Sequence, residues 1–213
     1  MVVEKFFARY GFDDLAAYTG KDISDEMIDT CIAHASGFYD NNFIWGQATK
    51  NIVKKFNKFC FVFVDTSTKQ IIGHSFWFPV KTKIFNGFIK LQKMLLDLKE
   101  EYFSDFDNEK KEINLFQAAE TYVAGYDLAN LHRAVEDHFQ SKVLKLAQKG
   151  IKVKYIALES CCKFDEYLVS RLGLTKKVKK PNTTFYYDIY SPRRVYKDSP
   201  EAKELREYYK EEA

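Results

Sequence analysis

The sequence predicts a mixed α/β (α+β) domain, with a mostly antiparallel sheet flanked by helices and a helical insertion between its third and fourth strands. Three observations predict it. "FCFVFV", the turn "DTSTKQ" and "IIGHSFWFP" read as two antiparallel strands joined by a hairpin. Residues near 114–158 run strand, helix, strand, which supplies a parallel pair. Between these two units, Phe88, Leu91, Leu95, Leu98 and Tyr102 repeat at 3-4-3-4 spacing, the mark of a helix with one apolar stripe.

Each element has its own local reason. Residues 2–10 are read as a first strand, although their alternation is poor. "DISDEMIDTCIAHASGFYD" offers Ser24 as an N-cap, and Ile28, Cys31, Ile32, Ala35 and Tyr39 follow at helical spacing. A shorter helix over about 47–58 puts Ile52, Val53 and Phe56 on one face. The hairpin follows, with its second strand ended by Pro79, and then the insertion at 81–112, whose acidic end runs into "SDFDNEKKE". The strand 113–126 leads into a helix over about 130–149, stopped by Gly150, with Val135, Phe139, Val143 and Leu146 on its buried side. "IKVKYIALES" is a strand whose second half is apolar, as a central position requires. "FDEYLVSRLGL" is a short helix closed by Gly173, and "NTTFYYDIY" is the last strand. The expected division is a domain over 1–190 and a charged tail over 191–213, in which Ser199 and Pro200 open a surface helix.

Composition narrows the class. With 46% hydrophobic residues, 19 Phe and 14 Tyr, one sizeable core is feasible in 213 residues. Residues 101–140 carry nine acidic and three basic side chains, and 141–180 carry eleven basic and three acidic, within a net charge of only +3. Solvated helix faces explain such polarity more simply than charged ligands do. Cys31, Cys60, Cys161 and Cys162 form no CxxC pair, which points to reduced thiols and a cytoplasmic setting. The longest apolar run, Phe59 to Val64, is far too short to span a bilayer, so no membrane role is expected. His132 and Glu136 have ligand spacing on a helix, but a surface pair is the commoner meaning, and no metal is expected. "KKVKK" at 176–180 is one basic run and not a continuous stripe, so nucleic acid is not expected either.

The element order resembles that of the GNAT (Gcn5-related N-acetyltransferase) superfamily over roughly residues 2–190. Three local features carry the resemblance: "QIIGHSFW" with its glycine after two apolar residues, "AETYVAGYDLANLHRAVEDHF" followed by "LKLAQKG", and "FDEYLVSRLGL". The resemblance implies transfer of an acyl group from acetyl-CoA to an amine, small-molecule or peptide. It implies backbone contacts to pantetheine near Ala124 and Tyr126, and Glu120 as the base that takes the amine's proton directly or through water. The family's general acid falls on Val169, which leaves Tyr167 as a substitute; Cys162 falls where the family often has an Asn touching the pantetheine arm.

The family's pyrophosphate loop, Gln/Arg-x-x-Gly-x-Gly/Ala, falls on Leu131, Ala134 and Glu136, or one residue earlier on Asn130, Arg133 and Val135. Neither register contains a glycine. His132 and Arg133 would then hold the diphosphate through their side chains at the helix mouth. Two readings stay open: an N-acetyltransferase, and a GNAT-fold ligand-binding or interaction module that has lost transfer.

Overall fold

The computed structural model describes residues 6–38, 47–90, 99–104, 112–123, 125–160, 169–170, 172–179, 184–192 and 199–209. Among the described residues, seven strands form one sheet in the order β1-β2-β3-β4-β5-β7-β6. They are β1 (Leu15–Thr19), β2 (Cys60–Asp65), β3 (Gln70–Val80), β4 (Glu112–Tyr122), β5 (Lys152–Ser160), β6 (Lys176–Lys179) and β7 (Thr184–Ile189). All neighbours are antiparallel except β4 and β5. Among the described residues, the helices with complete bounds are α1 (Asp25–Phe38), α2 (Gln47–Lys55), α3 (Thr82–Ile89), α4 (Leu128–Ala147) and α5 (Pro200–Tyr208), while most of the expected helix "FDEYLVSRLGL" lies outside the described residues.

The core lies in two layers, one on each side of the sheet. Leu131, Val135, Phe139 and Val143 of α4 and Leu205 of α5 pack with Phe61, Phe63 and Trp77 on one side. Ile28 and Cys31 of α1, Ile52 and Val53 of α2, and Phe85 and Phe88 of α3 pack with Phe76, Phe78 and Phe116 on the other. The helical spacing of these residues is why each helix buries one stripe.

Caps and turns follow the local chemistry. Ser24 Oγ accepts from Met27 N at 3.2 Å, and Ser199 Oγ accepts from Ala202 N at 3.0 Å. In the β2–β3 turn, Asp65 Oδ1 accepts from the N–H groups of Ser67 and Thr68 at 2.9 and 3.0 Å.

Several boundaries differ from expectation. Residues Phe7–Tyr10 form a 3-10 turn in place of a strand, and β1 follows it. Phe6, Phe7 and Tyr10 recur at helical and not alternating intervals, and all pack on the core under α4. β3 passes through Pro79 to Val80. Pairing with β2 has already ended at Cys60–Phe76, so the missing N–H costs no β2 bond, and Pro79 O accepts from Ser104 N at 2.9 Å. The insertion does not run to Tyr102 as one helix, because Lys99 is extended (φ −113°, ψ 139°) before a 3-10 turn. Phe88 and Tyr102 still meet edge-on at 6.5 Å in the layer beneath α1–α3, while Leu91, Leu95 and Leu98 lie outside the described residues. "KKVK", read from the sequence only as a basic run, is the edge strand β6; only Val178 in it is apolar, and exposed lysines suit an unpaired edge. The C-terminal helix buries Ala202 and Leu205 and is not wholly a surface element.

Candidate active site

The parallel ladder between β4 and β5 runs from Glu112–Lys152 to Gln117–Leu158 and then stops. Beyond that point, among the described residues, β4 continues to Tyr122 paired with β3 only, while Glu159 and Ser160 of β5 stay with β7. The cause is visible in β4. Phe76 faces Ala119 and Trp77 faces Gln117, so Ala118 is an extra residue, a bulge. A bulge bends its strand and increases local twist, which carries β4 away from β5. Val123 N–H donates to Ile72 O at 2.8 Å, which turns the peptide groups of Thr121 and Val123 toward β3. By the alternation of an antiparallel ladder, those of Glu120 and Tyr122 face the gap.

On the α4 side of the gap, Glu120 is the centre of a network. Its Oε2 accepts from Ser75 Oγ at 2.9 Å and from the Gln117 side-chain amide. Its Oε1 accepts from Tyr122 OH at 2.9 Å and lies 3.3 Å from His132 Nδ1. Trp77 Nε1 donates to Ser75 Oγ at 3.0 Å, which holds that hydroxyl in place. The bulge brings Gln117 and Glu120, three apart, to one face; a regular strand would put them on opposite faces. Glu120 is only 7% exposed. Gly73, across from Tyr122, makes room for the tyrosine, because a Cβ there would meet Tyr122 Cδ1 at 2.4 Å.

The α1 side was not foreseen. A cavity of about 250 Å³ is lined by His34, Gly37, Thr121, Tyr122 and Val123. Behind it, Thr121 Oγ1 lies 3.0 Å from His74 Nδ1. Burial, with His34 nearby, lowers the His74 pKa to about 3, so its ring is neutral near pH 7. His34 Nδ1 is buried with no hydrogen-bond partner among the described residues. Forty residues separate these two histidines in the chain, and helix-to-strand packing alone brings them together.

The helix mouth differs most from expectation. Helix α4 begins at Leu128, so Leu131, His132, Arg133 and Ala134 lie inside it and their amides belong to the helical ladder; Leu131 N–H donates to Asp127 O at 2.8 Å. Leu131, His132 and Ala134 are buried, with His132 turned to Glu120, while Arg133 is exposed. Glu136 is buried further along the helix and stands away from its mouth. At the mouth, Asp127 caps the helix, accepting from Asn130 N–H at 3.2 Å and from the Asn130 side chain at 2.8 Å. Tyr126 is in the turn and its hydroxyl donates to Asp65 Oδ2 at 3.0 Å. Ala124, Cys162 and Tyr167 lie outside the described residues.

No protein-family profile matches the sequence, and no curated protein matches it. Among solved structures, the chain is similar to a GNAT-family acetyltransferase from Staphylococcus aureus Mu50, with 13% identity and a TM-score of 0.51 over 83% of this chain and 99% of the other. It is also similar to Naa50 of Arabidopsis thaliana, a structure containing the bisubstrate analogue CoA-Ac-MVNAL, with 9% identity and a TM-score of 0.50 over 82% and 97% of the two chains. At such identities the likeness is one of fold: the chain has the open, mostly antiparallel sheet of the GNAT acetyltransferases.

Proposed function

We propose that the protein is an acyltransferase that moves an acetyl group from acetyl-CoA to an amine, either a small molecule or a peptide. The observation that carries this reading is the departure of β4 from β5 after Gln117–Leu158, which turns two peptide groups into a gap beside a cavity of about 250 Å³. The open strand edge fits the amide-rich arm of the donor; the capped helix mouth does not fit its diphosphate. When bound, an acyl thioester supplies an activated carbonyl whose C–S bond breaks as the new C–N bond forms.

The chain's own residues then handle the proton. The oxygens of Glu120 are already engaged, so the carboxylate is reached through Tyr122, whose hydroxyl donates to Glu120 at 2.9 Å on the α4 side of the gap. Tyr122 Oη accepts the amine's proton while its own hydroxyl proton passes to Glu120 Oε1. Ser75, Gln117 and His132 hold the carboxylate in position for this transfer. Tyr167 as general acid, and Ala124 and Cys162 as pantetheine contacts, are carried over from the family resemblance and rest on it alone. The buried free thiols of Cys31 and Cys60 support a reducing, cytoplasmic setting. No described helix is long and apolar enough to cross a membrane.

The second reading, a GNAT-fold binding or interaction module without transfer, is favoured by one observation: Asp127 occupies a helix-mouth amide that a diphosphate would use. Thermal unfolding with acetyl-CoA separates the two. Ligand at about a hundred times its Kd stabilises by roughly 2.7 kcal/mol. A flat response at millimolar acetyl-CoA would leave only the second reading.

A further inference from the structure

The two halves of the donor site point in opposite electrostatic and steric directions. At the strand edge, the Glu120 and Tyr122 peptide groups face the gap, and Val123, 40% exposed, adds apolar surface beside it. Hydrogen-bonding peptides beside exposed aliphatic side chains suit a neutral chain of amides and methyl groups. At the helix mouth, the polar side chains are engaged with one another or negative. The Asp127 carboxylate caps Asn130 N–H. The amides from Leu131 onward belong to the helical ladder. Asp65, under the Tyr126 hydroxyl, has its pKa lowered to about 2, first by the Ser67 side chain and then by the Thr68 N–H, so it carries full charge at neutral pH. An anion placed at this mouth meets the negative charges of Asp127 and Asp65, and Asp127 already answers part of the charge of the helix terminus.

We propose that this protein recognises its acyl donor through the pantetheine arm, with the nucleotide diphosphate contributing little to affinity. The proposal rests on the acyltransferase reading and deepens it by naming the donor class: acyl thioesters of pantetheine, with or without the adenosine diphosphate portion. The strand edge is then the whole of the recognition element among the described residues, and the mouth of α4 is a structural cap.

Titration calorimetry on the full chain tests this with three probes: CoA, pantetheine and adenosine 3′,5′-diphosphate. The expected result is pantetheine binding within about tenfold of CoA, with no heat from the nucleotide alone. Salt gives a second measure. Raising ionic strength from about 0.05 to about 0.3 M screens repulsion between carboxylates and diphosphate, so CoA affinity should hold or rise. Asp127→Asn keeps a competent cap and removes a charge, so CoA should bind about two- to tenfold tighter while pantetheine does not change. A CoA advantage above about tenfold, nucleotide binding by itself, or CoA affinity that falls with salt would overturn the proposal while leaving the acyltransferase reading intact. Binding of neither CoA nor pantetheine would remove both.

Discussion

The edge of β4 and the mouth of α4 are separated by a turn of a few residues, yet they have kept different things. The strand edge depends on backbone alone: a bulge at Ala118, a ladder that ends at Gln117, and peptide groups whose direction follows from Val123 bonding to Ile72. Almost any side chains that preserve the bulge preserve the edge. An anion-holding helix mouth is more demanding, since it needs uncapped amides and residues small enough for close approach. Here Asp127 caps the helix, and the residues matched to the family's loop lie inside it. The difference teaches that a strand edge set by backbone geometry does not depend on the side chains that cap the helix after it.

The largest expected effect breaks the strand side of this comparison at its chemistry. Tyr122→Phe and Glu120→Gln each lower transfer by about 10²-fold or more in steady-state assays against a panel of amines, with donor affinity unchanged. Because the two groups act in one path, the double variant should be no slower than the slower single one. Additive losses would show that Tyr122 and Glu120 act separately.

A smaller effect sharpens the steric part. Gly73→Ala places a Cβ 2.4 Å from the Tyr122 ring and 2.6 Å from Thr121 O. The ring must move, with a stability loss of about 1–3 kcal/mol in urea titration and weaker pantetheine binding. Asp127→Asn, on the other side of the comparison, should leave stability nearly unchanged. Equal losses in the two variants would mean that the strand edge and the helix mouth are one structural unit.

Much of the scaffold was legible because periodicity reports burial. The α1 stripe of Ile28, Cys31 and Ala35, the β2–β3 hairpin and the β4–α4–β5 unit all read from spacing and turn residues. Glu120 and Tyr122, two apart on a strand, share a face by alternation, and the hydrogen bond between them agrees. The partnership of Glu120 with Gln117 was not, because the bulge that aligns them leaves no mark in the alternation. Nor were His34 and His74, whose meeting depends on how α1 crosses the sheet. β6 was missed for a different reason: a strand with one apolar residue is specified by its neighbour β7, and local pattern contains nothing of that. The helix start was read two residues late, near 130 and not at Leu128, because the Asp127–Asn130 cap holds a first turn whose Leu128 is exposed and outside the apolar stripe.

The most direct measurement is residue-resolved amide hydrogen exchange along β4, with and without acetyl-CoA. With the gap open, the Glu120 and Tyr122 N–H groups should exchange faster than those of Thr121 and Val123, which are turned to β3, and both should slow on adding the donor. Uniform protection of all four amides in the free protein would mean that β4 is paired on both edges, and no donor could lie there.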